Sequence, residues 1–182
     1  LALAGLGANG EEPPMPAAVA FDVKLEVPLQ EINEAFCWFH PRCAAIPGAG
    51  VDGGPAVVMV LLKELSASDF YSGVYTMRTD DLGRTWRGPI EIPELAWRRD
   101  EKGVIISVAD VTPGWHAPTG KLIAIGCQVR YNESGDQLED EYRGNCTTYA
   151  TYDPAADSWT GWRVLEMPPD PTFDFSRSAC SQ

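Results

Sequence analysis

One eight-residue run constrains this chain more than any other: Thr79-Asp80-Asp81-Leu82-Gly83-Arg84-Thr85-Trp86. It lies between two strand-like stretches, Val74–Thr79 and Trp86–Ile92, so it must reverse the chain. Its chemistry suits a tight turn. A carboxylate at Asp81 accepts hydrogen bonds from backbone N–H groups within the turn, as in an Asx-turn. Gly83 supplies a positive φ at no steric cost. Trp86 brings a large ring to bury against the sheet. An aspartate used in this way is structural, not catalytic.

The rest of the chain reads as short strands between turn signals, starting at Phe21. Arg42–Ile46 is closed by Pro47-Gly48, and the continuous apolar run Val57–Leu62 predicts a strand buried on both faces. With Val74–Thr79 and Trp86–Ile92 these make four strands, followed by a polar connection over 94–103. The plan then repeats as Val104–Val111, Lys121–Arg130, Cys146–Tyr152 and Trp159–Leu165, with an acidic loop over Asn132–Asn145. Tyr75–Asp80 aligns with Thr148–Asp153 and Trp86 with Trp159, 73 residues apart. That exceeds the ~40–50 residues of common propeller repeats, and the excess falls in 113–120 and 132–145. No stretch shows sustained 3.6-residue periodicity, so almost no helix is expected. A four-stranded unit with the turn between its third and fourth strands is the plan of one blade of an all-β propeller. Such a fold uses roughly 4–8 blades. The expectation is therefore two antiparallel blades, the start of a third at Ser178–Gln182, and a chain that is part of a longer one.

Charge narrows the function classes. The net charge of −12 argues against nucleic acid, whose phosphates call for clustered Lys and Arg, and against an anionic membrane surface. An acidic protein binds an anionic sugar only through a local cationic pocket. The cysteines Cys37, Cys43, Cys127, Cys146 and Cys180 form no CxxC pair, and the chain has 2 His, so a zinc site is not expected, and no motif in the sequence implies another metal or an organic cofactor. Buried thiols are the plain reading of these cysteines, with a Cys127–Cys146 disulfide as the alternative. No run reaches the ~20 apolar residues of a membrane span. Residues 1–20 read as an Ala-, Gly- and Pro-rich tail whose first eight residues are like the end of a signal peptide, so a secreted, periplasmic or extracellular protein is expected, with the domain over 21–182. The alternative for this segment is an unstructured tail of another origin.

The run Arg78–Trp86 fills every fixed place of the pattern Ser/Thr-x-Asp-x-Gly-x-Thr-Trp and resembles the first Asp-box of the sialidases, the neuraminidases of the BNR-repeat superfamily. The second copy, Asp153–Trp159, lacks the glycine and also resembles a kelch turn. The resemblance implies a propeller that is six-bladed when complete. It implies an exo-acting glycoside hydrolase that releases terminal sialic acid from glycans. In that family an arginine near an Ile-Pro pair joins a triad that holds the sialic acid carboxylate. An aspartate shortly before the first Asp-box is the acid/base, and a Tyr–Glu pair comes much later.

Carried over to this chain, Arg42 stands before Ile46-Pro47 as the carboxylate-binding arginine, with Cys43-Ala44-Ala45 intervening. Asp69, ten residues before Thr79, stands as the acid/base. Guanidinium groups hold a carboxylate bidentately, and a carboxylic acid in a partly dry mouth protonates a glycosidic oxygen. Asp110, Trp115 and His116 fall in the segment between the first two strands of the second unit, where a ring to stack on a sugar and polar groups to bind it are expected. Gln182 is a further pocket candidate. The structural alternatives are a rim salt bridge for Arg42, a loop cap for Asp69, and a packed Trp115 with a loop His116. This 182-residue piece alone is expected to be inactive. The competing function is a non-catalytic propeller that binds glycans or proteins.

Overall fold

The structure is a computed structural model that describes residues 20–65, 69–138, 146–166, 168–169 and 171–172. It is all-β, built from two antiparallel sheets, with helix limited to single 3-10 turns at Val51–Gly53, Pro93–Leu95 and Ala117–Thr119. No helix among the described residues is long and apolar enough to cross a membrane.

The first sheet is a four-stranded meander, β1 (Phe36–Ile46), β2 (Ala56–Leu65), β3 (Tyr75–Thr79) and β4 (Arg87–Glu91). The second repeats the plan with β6 (Ile105–His116), β7 (Lys121–Tyr131) and β8 (Thr147–Asp153). Its outer strand is broken in two, β9 (Ser158–Trp159) and β10 (Arg163–Val164), both paired to β8. A short β5 (Arg98–Arg99), inside the stretch expected to be a plain connection, adds to the far edge of β6. Thus β3 and β8 hold equivalent third places, in agreement with the repeat.

Local chemistry accounts for the Asp-box turn. Thr85 donates to Asp81 Oδ1 through its backbone N–H (2.9 Å) and to Oδ2 through its hydroxyl (2.7 Å). Thr79 Oγ1 donates to Asp81 Oδ1 and accepts from Gly83 N–H. Leu82 (φ 59°) and Gly83 (φ 87°) make the reversal. Trp86 is half-buried rather than enclosed. In the degenerate copy Ala156 stands at the place of the missing glycine, and Asp157, one residue on, takes positive φ, accepts from Tyr152 Oη, and pairs with Arg87 at 2.8 Å. Arg78 donates to Tyr152 Oη at 2.9 Å, so the two turns are clasped across the sheets.

One core joins the sheets. It contains Ala44, Ile46, Val58, Val60 and Leu62 of the first sheet and Ile105, Val108, Leu122, Ala124, Ala150 and Tyr152 of the second. β2 is buried along its Ala56, Val58, Val60 and Leu62 face but only half-buried at Val57, Met59 and Lys63. The double-sided burial expected from its apolar run therefore holds on the other face only at Leu61, which is buried, because the core shared with the second sheet lies against the first face. The strand-like start at Phe21 does not form a strand either. Phe21, Val23, Leu25 and Val27 alternate as a strand would, yet all are exposed and no neighbouring edge pairs with them. The Cys127–Cys146 disulfide is not formed, as Cys146 is a free thiol. Residues 1–19, Cys180 and the third-blade start at Ser178–Gln182 lie outside the described residues.

The hydrogen bonds to Asp81 have a consequence in acid. The backbone N–H and then the hydroxyl of Thr85 hold its carboxyl pKa below the usual value. A depressed folded-state pKa gives stability that is full above the unfolded pKa, about 3.9, and is lost as pH falls through the folded value. Asp81→Ala should therefore lower the Tm at pH 7 and lower it less at pH 3, measured by thermal denaturation at both.

Candidate functional site

The site is built on a device that both first strands share. In β1, Phe39 faces Leu62 and Arg42 faces Val60, so His40 and Pro41 stand opposite Leu61 alone. In β6, Ala109 faces Cys127 and Thr112 faces Ile125, so Asp110 and Val111 stand opposite Gly126 alone. Each is a one-residue bulge, which bends the strand and re-aims a side chain. Pro41 suits such a place because it has no N–H to give to a ladder. Gly126 is required opposite the other bulge. A Cβ there would lie 2.5 Å from Val108 Cγ1 and 2.8 Å from the Ala109 carbonyl oxygen.

The bulges are equivalent in backbone as well, with φ 48° at His40 and 52° at Asp110. β1 and β6 pack side by side, so the two aimed side chains meet. His40 Nδ1 stands 3.4 Å from Asp110 Oδ1.

The third wall is the β2–β3 connection. Leu65 N–H donates to the Phe70 carbonyl and Ser72 N–H to the Lys63 carbonyl, which extends the hairpin and sets Asp69 near its tip with φ 56°. Phe70 anchors this tip by stacking on Trp97 at 5.2 Å and meeting Tyr131 edge-on at 4.9 Å. Gly135 lies under the Phe70 ring, where a Cβ would come within 2.7 Å of it. That contact lets the turn after β7 close over the tip and bring Gln137 to the site.

Phe39, His40, Asp69, Tyr71, Asp110 and Gln137 surround a cavity of about 390 Å³. The Tyr71 phenol donates to Asp69 Oδ1 at 2.6 Å. Burial first, and then this bond to Asp69, push the Tyr71 pKa far above its usual value, so the phenol stays a donor at any working pH. The chemistry assembled here is one carboxylate anchored by a phenol, a second carboxylate facing an imidazole, and aromatic walls. It suits a polyhydroxylated ligand that needs a proton donor or acceptor beside it.

Of the residues singled out in the sequence, Asp69 and Asp110 are brought together on this cavity. Arg42 is next to it in sequence but outside its lining. It is half-buried, on the β1 face that carries Ala44, and has no ion-pair partner among the described residues. Trp115 and His116 lie on β6 itself, not in a loop, because the strand runs on to His116. His116 is six residues beyond Asp110, roughly 20 Å at ~3.3 Å per residue. Trp115 packs at the edge of the core, and His116 Nδ1 meets Thr119 Oγ1 at 2.8 Å. Gln182 lies outside the described residues. His40, Tyr71 and Gln137 were not singled out. Pro41 inside a strand run was the available signal for the first bulge. No protein-family model matches the chain, and no curated protein matches its sequence.

Gly126→Ala should destabilise the protein by about 1–3 kcal/mol, the usual range for overpacking, because the new Cβ would meet backbone and a stiff valine. Urea unfolding would measure it. An unchanged midpoint would mean that the second bulge does not depend on a bare Cα opposite.

Proposed function

We propose that this chain is part of a sialidase-type β-propeller and that the complete protein is a secreted exo-acting glycoside hydrolase that removes terminal sialic acid from glycans. Asp69 carries the reading. It lies ten residues before a fully bonded Asp-box turn and opens onto a cavity shared by the first strands of two like meanders. Two meanders of the same order, with side-by-side inner strands, support blades around an axis. The guanidinium of Arg42, which has no ion-pair partner among the described residues, supports an anion-binding role beside the cavity, to be completed by arginines elsewhere in the protein.

In this reading Asp69 protonates the glycosidic oxygen through the carboxylate oxygen that Tyr71 leaves open. Tyr71 fixes the other oxygen and so the direction of proton transfer. Arg42 holds the substrate carboxylate. The nucleophile comes from outside this chain, as the sialidase resemblance implies.

In the full-length protein, Asp69→Asn should lower kcat/KM for a sialyl-lactose substrate by about 10²–10⁴, the range of general acid catalysis. The loss should be smaller for an aryl sialoside, whose leaving group needs less help from an acid. Arg42→Ala should mainly raise KM. An Asp69→Asn enzyme as active as wild type would end the assignment. No sialoside turnover by wild type, with a thermal shift on adding another glycan, would favour the binding propeller.

A further inference from the structure

Six non-glycine residues take positive φ among those described, and three of them, His40, Asp69 and Asp110, line one cavity. Such backbone costs free energy and persists where the surroundings impose it, often at a binding site. The Asp69 and Asp110 conformations suit aspartate, which tolerates the left-handed region. His40 pays the strain in a bulge place that glycine fills most readily.

The imidazole is held on three sides. The Phe39 ring centroid lies 4.2 Å away and the Tyr71 centroid 5.4 Å away. Nδ1 is enclosed and has no hydrogen-bond partner among the described residues, with Asp110 Oδ1 at 3.4 Å, in ion-pair range but outside hydrogen-bond geometry. A buried polar atom without a partner calls for an explanation. The His40 side chain as a whole is still 23% exposed. Since Nδ1 is sealed, that exposure belongs to the other atoms of the side chain, among them Nε2. The titratable groups around the ring are Asp110 on β6 and Asp69 and Tyr71 on the β2–β3 connection.

We infer that His40 is a ligand-binding residue of this cavity, taking a sugar hydroxyl on Nε2 while Asp110 behind Nδ1 acts as its positioning residue. This rests on the reading of the cavity as a glycan site, but it does not depend on which sugar is bound. Asp110 selects the ring form with the proton on Nδ1, because a carboxylate accepts and does not donate. Nε2 is then the acceptor of a ring that lines the cavity, and a sugar hydroxyl is a donor that matches it. The loose Nδ1–Asp110 contact tightens when ligand fixes the ring, as polar contacts in unliganded sites commonly do. No bond is made or broken in this step.

The experiment uses the full-length protein with ¹⁵N-labelled histidine. Ring ¹⁵N signals are followed while methyl α-sialoside, galactose, fucose and N-acetylglucosamine are added in turn, with His40→Asn identifying the His40 signals. Asparagine keeps the left-handed backbone, and His40→Gly relieves it, so both variants should fold with a Tm at or above wild type. The expected result is a sugar-dependent shift of Nε2 at His40, none at His116, and at least a tenfold rise in Kd or KM in both variants. If sialoside is turned over and the His40 variants match wild type, the assignment of His40 is overturned and the sialidase reading stands. If sialoside is not turned over but another sugar moves the His40 signals, the sialidase reading fails and the assignment stands. If no sugar moves those signals, the assignment is overturned.

Discussion

The paired bulges in β1 and β6 are the constraint on which the site depends. In a regular strand, successive side chains alternate between faces, and each residue has one partner. One extra residue in each of these strands breaks that pattern at His40 and at Asp110. Because β1 and β6 lie side by side, both breaks fall on the same cavity, and an imidazole and a carboxylate meet across the seam. Removing either bulge would return its residue to the ladder and shift the face of every residue beyond it.

Around that seam the two sheets share a core, and their outer turns are tied by different chemistry. The intact Asp-box spends its carboxylate on its own backbone and hydroxyls. The degenerate copy has no glycine, yet Asp153 still accepts from the backbone N–H groups of Ala155 and Ala156 within the turn, while Asp157 accepts from Tyr152 and reaches across the sheets to Arg87. Each turn is thus capped by its own aspartate, and the junction between them is tied by Arg87 to Asp157 and by Arg78 to Tyr152.

Much of the fold was legible in the sequence, and for a plain reason. Strand and turn signals are local, so the four strands of the first meander and the β6–β7–β8 series were found, although β1 begins six residues before the expected Arg42 and β6 runs five residues past the expected Val111. β5 was missed because two charged residues, Arg98 and Arg99, carry no apolar pattern. Phe21–Val27 was overread because its alternation is genuine but an edge to pair with is a non-local matter. The site was legible only in part. Asp69 was singled out through the sialidase resemblance, ten residues before the Asp-box, and Asp110 by its place between the first two strands of the second unit. His40 and Tyr71 were not, since their role comes from register and from the packing of β1 on β6, which one sequence does not encode in any short pattern. Trp115 and His116 were drawn toward the site by a loop that turned out to be strand, and the extra length carries them to the other end of β6.

The central claim is that a sugar is bound where the two inner strands meet. The most direct measurement is a crystal structure of the full-length protein with 2-deoxy-2,3-didehydro-N-acetylneuraminic acid, an unsaturated analogue of sialic acid. The account predicts the sugar ring in the cavity bounded by His40, Asp69 and Asp110, with Asp69 on the side of the missing leaving group and the carboxylate toward Arg42. A sugar seated elsewhere on the protein, or nowhere at saturating concentration, would contradict it.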